Sequence, residues 1–591
     1  STRLTCWLAA ALVVVFGTRD VVTGRLPAVG QFAPFASWGA TFGQFAAGWH
    51  PAGVGTSAPA SPALALTGVL GTLLLGSMGL AQKVLVLGCL PLGPWGVVRL
   101  VRPFGSQRAA LVAGLSYLAI ALPYDALATG RLGALVLYAG APWVLANLFR
   151  ASRLPPYVAT GAADGTGPAP GAAPTGGEGA PAGAAALTSS GRRGRRTAVL
   201  ARMRRATGPA GRGGPARRHD LLSLALLEAV LVSFAPAAAI VVLLCALAVA
   251  VPLAATGGGR AARRVVGRAV GGTVLAGVVT LPWLVGVASA GSLAAAVFGV
   301  PLPQSAAVGW GSLLRFADGP VGGSVLGWGF ALAAVAPLLL GRGPRFGWAA
   351  RLWSVALVFW VFAWVVGRGW TGAISPDVDL LLAPAAVAVA GAIGLGISAF
   401  EIDVPRAAFG WRQLVTGLAA VATALAALPT VVSALPGAWN LPTNDFTQAV
   451  GWMHGRSADG AFRVLWLGDA RAIDAGSWAA GDGLAYATSE DGPPDARWLW
   501  NQPGPGPAAG LATAVDSARH GATDRVGREL APAGVRYVVV LTALAPQIVG
   551  EQTPASLPVP ADLLPSLGRQ LDLTTVLSGT GMTVFENTDW V

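Results

Sequence analysis

The sequence predicts an α-helical polytopic membrane protein with about eleven transmembrane helices and a C-terminal extracytoplasmic α/β domain. Three observations carry this. Hydrophobic residues make up 54% of the 591 positions and charged residues only 11%, against about 25% charged in soluble domains. Several runs near 20 residues are almost free of charge, the length that crosses about 30 Å of hydrocarbon. From Pro436 the helical runs give way to short alternating segments separated by turn residues.

Charge placement supports the same division. Residues 1–434 carry 31 Lys+Arg against 11 Asp+Glu, and residues 435–591 carry 9 against 16. The net charge of +13 therefore belongs to the membrane part, where Lys and Arg hold loops on the cytoplasmic side. It is not a nucleic-acid signature. Cys6, Cys89 and Cys245 all lie in apolar runs, and the four His show no ligand spacing. That argues against a disulfide framework or a Cys-ligated metal. The chain begins at Ser1, with an apolar run over Leu4–Phe16 that is short for a span. We read this as a fragment whose upstream part is missing.

In chain order, residues 1–149 form a first membrane block. Ser1–Gly17 is a span with Arg3 on the cytoplasmic side, and 18–62 is a long outer loop rich in Gly and Pro. If Ser61–Gly79 and Lys83–Val101 both crossed, Arg99, Arg102 and Arg108 would face outward, against the positive-inside rule. Ser61–Gly79 is therefore a partly embedded, non-spanning helix. Ala109–Leu122 and Leu132–Leu148 are the next spans. Residues 150–219 read as a disordered cytoplasmic loop, Gly/Ala/Pro-rich and then carrying ten Arg between Arg192 and Arg218. Residues 220–435 form the second block. There Phe234-Ala235-Pro236 breaks an overlong run into two spans, and five more follow: Ala269–Ser289, Gly322–Leu340, Trp348–Val366, Leu380–Phe400 and Leu414–Leu435.

Residues 436–591 read as a small α/β domain outside the membrane. Phe462–Leu467 and Gly534–Val540 are strands, and Leu573–Leu577 with Met582–Glu586 is a terminal hairpin. Val515–Arg519 and Arg525–Leu530 read as helical. The carboxylate-rich run Asp482–Asp491 reads as an exposed loop, with cation or sugar binding as the sharper alternative. No Gly-rich phosphate loop follows a strand.

Ionisable groups on the outer face are the candidates for chemistry, because charge near a bilayer is costly. Asp20 is the single carboxylate of the first outer loop. It suits a general base on an acceptor hydroxyl or a ligand to a divalent cation, and an interfacial residue paired with Arg19 or Arg25 is the plain alternative. The other outer loops offer Asp125 and Arg131, Arg315 and Asp318, and Arg368, Trp370, Asp377 and Asp379. Outer arginines suit a lipid phosphate, or else an adjacent Asp. Trp49, Trp310 and Trp370 suit an interfacial belt or a sugar-stacking surface. Glu228 lies inside a span and needs a partner.

The order of a span, a long outer loop, a non-spanning helix, many spans and an outer α/β domain resembles the GT-C superfamily of membrane glycosyltransferases. The stretches Leu26–Phe35, Val98–Ala110, Gly534–Tyr537 and Val584–Asn587 are similar to that group's bacterial relatives. Phe462–Asp469, Asp482–Asp491 and Phe409–Gln413 resemble the membrane half of large actinobacterial proteins that begin with a cytoplasmic family 2 glycosyltransferase domain. That domain is absent here.

The resemblance implies sugar transfer from a polyprenyl phosphate to a cell-envelope glycan at the plasma membrane. It casts Asp20 as base or cation ligand and Arg131 and Arg315 as phosphate contacts. The C-terminal domain would bind the acceptor. Membrane lipids and a family 2 domain are the implied partners. Where relatives have Asp in the first loop, this chain has Gln31. A non-catalytic scaffold or lipid-glycan transporter serving a family 2 enzyme is therefore the competing expectation.

Overall fold

The computed structural model describes residues 2–157, 215–289, 293–299, 309–317, 319–372, 376–403, 410–473, 478–500, 506–547 and 553–590. Most of the loop expected to be disordered, and Asp318, lie outside the described residues. The chain is mostly helical, with a six-stranded sheet near its C-terminal end.

The first block contains α1 (Thr2–Gly17), α2 (Arg19–Thr23), α3 (Trp38–Ala46), α4 (Pro62–Leu73), α5 (Met78–Val101), α6 (Gln107–Ala119), α7 (Leu122–Ala128) and α8 (Leu132–Ser152). The second contains α9 (Pro215–Phe234), α10 (Ala238–Ala255), α11 (Gly259–Val279), α12 (Leu281–Ser289), α13 (Leu293–Phe298) and α14 (Trp310–Arg315). It continues with α15 (Trp328–Leu340), α16 (Pro344–Gly367), α17 (Val378–Asp403) and α18 (Trp411–Ser433).

The eleven expected spans fall on helical segments, but Ala109–Leu122 is divided between α6 and α7, Ala269–Ser289 between α11 and α12, and Gly322–Leu340 is helical only from Val325. Among the described residues, seven helical segments are long and apolar enough to cross a membrane, or eight if α11 and α12 count as one span bent by 79°. The bend falls beside Pro282, whose ring and missing N–H interrupt the helical ladder. Leu4–Gly17 and Val325–Leu340 are shorter apolar helices. At 12 residues, α4 reaches about 18 Å, short of a hydrocarbon thickness of about 30 Å.

Small residues decide which helices lie at the centre. In α17, Ala and Gly supply 10 of the 26 residues, and 94% of its apolar window is buried. A Cβ at Gly394 would lie 2.7 Å from the Ala109 carbonyl oxygen of α6, so glycine permits that close approach. Across α6 and α8, Tyr117 and Tyr138 stack at 4.3 Å, and each hydroxyl donates to the other's carbonyl, at 2.8 and 3.2 Å. At the periphery, only 11% of the α18 window is buried, leaving Leu414, Leu418, Val421 and Leu425 exposed.

The C-terminal sheet runs β2-β3-β1-β4-β6-β5, with strands β1 (Arg463–Asp469), β2 (Trp478–Gly481), β3 (Leu484–Glu490), β4 (Val535–Leu541), β5 (Leu573–Gly579) and β6 (Met582–Asn587). Only β1 and β4 pair in parallel. They are buried on both faces: Val464, Trp466 and Val539 enter one core, and Leu465, Leu467, Val538 and Val540 the other. Continuous apolar runs are the mark of such doubly covered strands.

One expectation is corrected. Most of Asp482–Asp491 is not a solvated loop but strand β3, paired antiparallel with β1 through Leu467↔Tyr486 and Leu465↔Thr488. Asp482 and Gly483 make the β2–β3 turn with φ of 50° and 74°. Asp-Gly is a strong hairpin signal; the flanking carboxylates obscured it.

Candidate active site

Residues 18–62, the loop expected on the outer face (the first outer loop), are held between the helical bundle and the sheet domain. Ala33 enters the domain core, the Ala496 N–H donates to the Pro34 carbonyl at 2.9 Å, and the Thr488 hydroxyl donates to the Gly53 carbonyl at 3.2 Å. Its strongest tie is Asp445, whose buried carboxylate accepts from Arg25 Nη2 and the Ala28 N–H, both at 2.7 Å, and from Thr447. Burial acts to raise the Asp445 carboxyl, but the bonds from Thr447, Ala28 and Arg25 outweigh it and hold it below the ordinary aspartate value.

Such a depressed group contributes stability above the unfolded pKa and loses it as pH falls through the folded one. We predict that Asp445→Asn costs about 1–3 kcal/mol at neutral pH. The wild-type advantage in chemical unfolding should fade below about pH 4. Equal stabilities at pH 7 would remove this anchoring role.

Beneath that loop, α2 and the first half of α5 frame a groove of about 760 Å³. Arg25 and Lys83 line it, with Val22, Leu26, Leu80 and Leu87 as apolar wall. Lys83 donates to the Val22 carbonyl at 2.7 Å and the Gly24 carbonyl at 2.5 Å. These two bonds leave one ammonium proton, and no carboxylate pairs with Lys83 among the described residues. Leu80 is 47% exposed, so the apolar wall continues to the surface. Gln82, also on the lining, is fixed by donating to the Ala33 carbonyl at 2.8 Å.

Sequence reading missed Lys83. The available signal was that it is the only lysine among 40 basic residues, set in an apolar run.

Asp20 lies on α2, two residues before Val22, and does not line the groove. Its side chain is 54% exposed and 3.6 Å from Arg19 Nε. Its backbone N–H donates to the Gly437 carbonyl at 3.1 Å. Arg19 in turn donates to the Phe16 and Leu435 carbonyls at 2.9 and 3.0 Å. Asp20 thus stands where α1 ends beside the exit of α18.

A second cluster joins the other loops read as candidates. Arg131 lies 3.1 Å from Asp379 and 3.8 Å from Asp377. Asp125 is buried and accepts the Val321 and Gly322 N–H groups at 2.6 and 3.0 Å. Gln31 accepts the Gly133 N–H at 2.8 Å, and its own N–H donates to the Gly130 carbonyl at 2.8 Å. These bonds splice four loops together. Among the described residues, no group of three His, Cys, Asp or Glu is arranged to hold a metal ion.

Other sequence candidates lie elsewhere. Arg315 donates to the Gly311 and Gly323 carbonyls at 2.9 and 3.2 Å. Arg368 sits over the Trp364 ring at 4.9 Å, and Trp310 and Trp370 pack on that ring at 5.2 Å each. Trp49 is exposed and separate from them. Glu228 is buried between helices, with its Oε1 accepting from the Thr273 hydroxyl at 2.6 Å. The structure therefore joins Arg131 with Asp377 and Asp379, and Arg368 with Trp370. It does not bring either group to Asp20.

No family model and no curated protein matches the chain. Among solved structures, it is similar to the arabinofuranosyltransferase AftD from Mycobacteria at 15% identity and TM-score 0.45, over 99% of this chain and 41% of that one. It is also similar to the oligosaccharyltransferase of Archaeoglobus fulgidus at 12% identity and TM-score 0.47, over 91% of this chain and 69% of that one. The chain thus spans less than half the length of the first of these.

Proposed function

We propose that the chain is a GT-C-like membrane glycosyltransferase, or the membrane half of one, transferring a sugar from a polyprenyl-phosphate donor to a cell-envelope glycan. The observation that carries this reading is the Lys83–Arg25 groove. It pairs two cations with an apolar wall, the combination that a phosphate on a hydrocarbon chain requires. It lies beside Asp20, the single carboxylate of the first outer loop. We assign the phosphate role here and not to Arg131, because Arg131 is engaged by Asp377 and Asp379 whereas no carboxylate pairs with Lys83 among the described residues; Arg25 remains bonded to Asp445, and Arg315 does not line this groove. The concentration of arginine before residue 434 supports a plasma-membrane setting with the C-terminal domain outside.

In this mechanism Asp20 acts as base or as ligand to a divalent cation. As base, it takes the proton of an acceptor hydroxyl, whose oxygen bonds to the anomeric carbon. The bond from that carbon to the phosphate oxygen breaks, and the lipid phosphate leaves with the electron pair. Lys83 and Arg25 stabilise the charge that develops on it.

The direct test is binding of farnesyl phosphate to the full chain in nanodiscs. Lys83→Gln should weaken it about 10- to 100-fold, the worth of one charge-assisted hydrogen bond. Unchanged affinity would reject the groove as the phosphate site.

A second reading has its own support. The Gln31 side chain is tied to backbone, and Asp20 stands outside the groove lining. Both favour a non-catalytic scaffold or lipid-glycan transporter that partners a cytoplasmic family 2 glycosyltransferase. It predicts farnesyl phosphate binding without sugar transfer by the wild-type chain.

A further inference from the structure

A different pocket, of about 390 Å³, lies between the first outer loop and the sheet domain. Gln44 and Pro51 form one wall; His454, Glu490, Asp491, Arg497 and Trp498 form the other. We propose that it binds a neutral saccharide.

The volume falls at the small end of ligand sites. The chemistry is that of polyol recognition. Carboxylates accept from sugar hydroxyls, amide and guanidinium groups donate to them, and an aromatic edge packs on C–H groups. Each wall is built rather than loose. The Gln44 amide nitrogen lies 2.7 Å from His50 Nδ1, and His50 is buried and held by reciprocal backbone bonds with Thr56 at 2.7 and 2.8 Å. Arg497 is clamped by Asp495 at 2.7 Å.

Asp491 adds an independent sign. It adopts φ of 56°, the left-handed turn conformation that Asp tolerates, at the end of β3. Its Oδ1 is buried without a hydrogen-bond partner among the described residues. An unsatisfied buried carboxylate oxygen on a pocket lining calls for a partner, which a ligand hydroxyl or a water would supply.

Two other ligand classes fit less well. No described trio of His, Cys, Asp or Glu is arranged for a metal. A phosphate or uronate would face Glu490 and Asp491, and like charges at such distances repel.

The role of this saccharide as acceptor rests on the transferase reading; its binding does not. The test is therefore binding alone: the full chain in nanodiscs, probed on an array of neutral and uronate oligosaccharides. We expect retention of at least one neutral class and of no uronate. Glu490→Gln and Gln44→Ala, from opposite walls, should each weaken the retained glycan at least tenfold while keeping the wild-type unfolding midpoint. No neutral glycan retained, or full retention by both folded variants, overturns the proposal. Absence of sugar transfer by the wild-type chain, with array binding retained, would instead count against the transferase reading.

Discussion

Asp20→Ala is expected to reduce sugar transfer from a polyprenyl-phosphate donor by at least about 100-fold, the lower range for losing a positioned general base. The residue is half exposed, so its removal leaves no cavity and no buried unpaired partner. Arg19 keeps its bonds to the Phe16 and Leu435 carbonyls. Folding and farnesyl phosphate binding should therefore stay at wild-type levels, which separates a role in the chemical step from a structural one. Asp20→Glu should recover part of the rate, because the carboxylate persists one methylene further out. The measurement is initial transfer rate by the purified chain in nanodiscs. Full activity in Asp20→Ala would sink the assignment of Asp20, and absence of transfer by the wild-type chain would put the scaffold reading ahead.

Arg131→Ala is expected to destabilise the fold by about 3–5 kcal/mol, the cost of stripping a buried pair of its partner. The Asp379 side chain is 8% exposed and that of Asp377 29%; Asp379 would bear most of the loss. Asp125 is close enough to Asp379 for the two charges to repel, so removing the cation leaves acids facing one another. The readout is thermal unfolding followed by tryptophan fluorescence. Adding Asp379→Asn should restore part of the loss, as coupled neighbours do in a double-mutant cycle. Binding of farnesyl phosphate by surviving folded protein should be unchanged. A midpoint equal to wild type, or weakened lipid binding in a fully stable variant, would reverse this reading and return Arg131 to the phosphate.

The two predictions differ in how visible their residues were beforehand. Asp20 stood out because it is alone in its loop. Arg131 stood out too, but its partners Asp377 and Asp379 are some 250 residues away, and no local spacing announces such a pair. Lys83 was passed over because it sits in a run that otherwise reads as a plain span. The Asp482–Asp491 stretch misled for the opposite reason: polar composition hid a strand whose alternate side chains enter two cores.

By itself the sequence determined most of the helical segments, the break at Pro236 and the change to a sheet domain. Each follows from local physics: the length and periodicity of an apolar run, and proline's missing N–H. Only the tertiary structure decided that the first outer loop lies between bundle and domain. It also tied Arg131 to two distant acids, placed Lys83 and Arg25 on the lining of one groove, and brought Gln44 and Glu490 to one pocket. These are meetings between residues far apart in the chain, set by how helices and sheet pack and not by any periodicity within one segment.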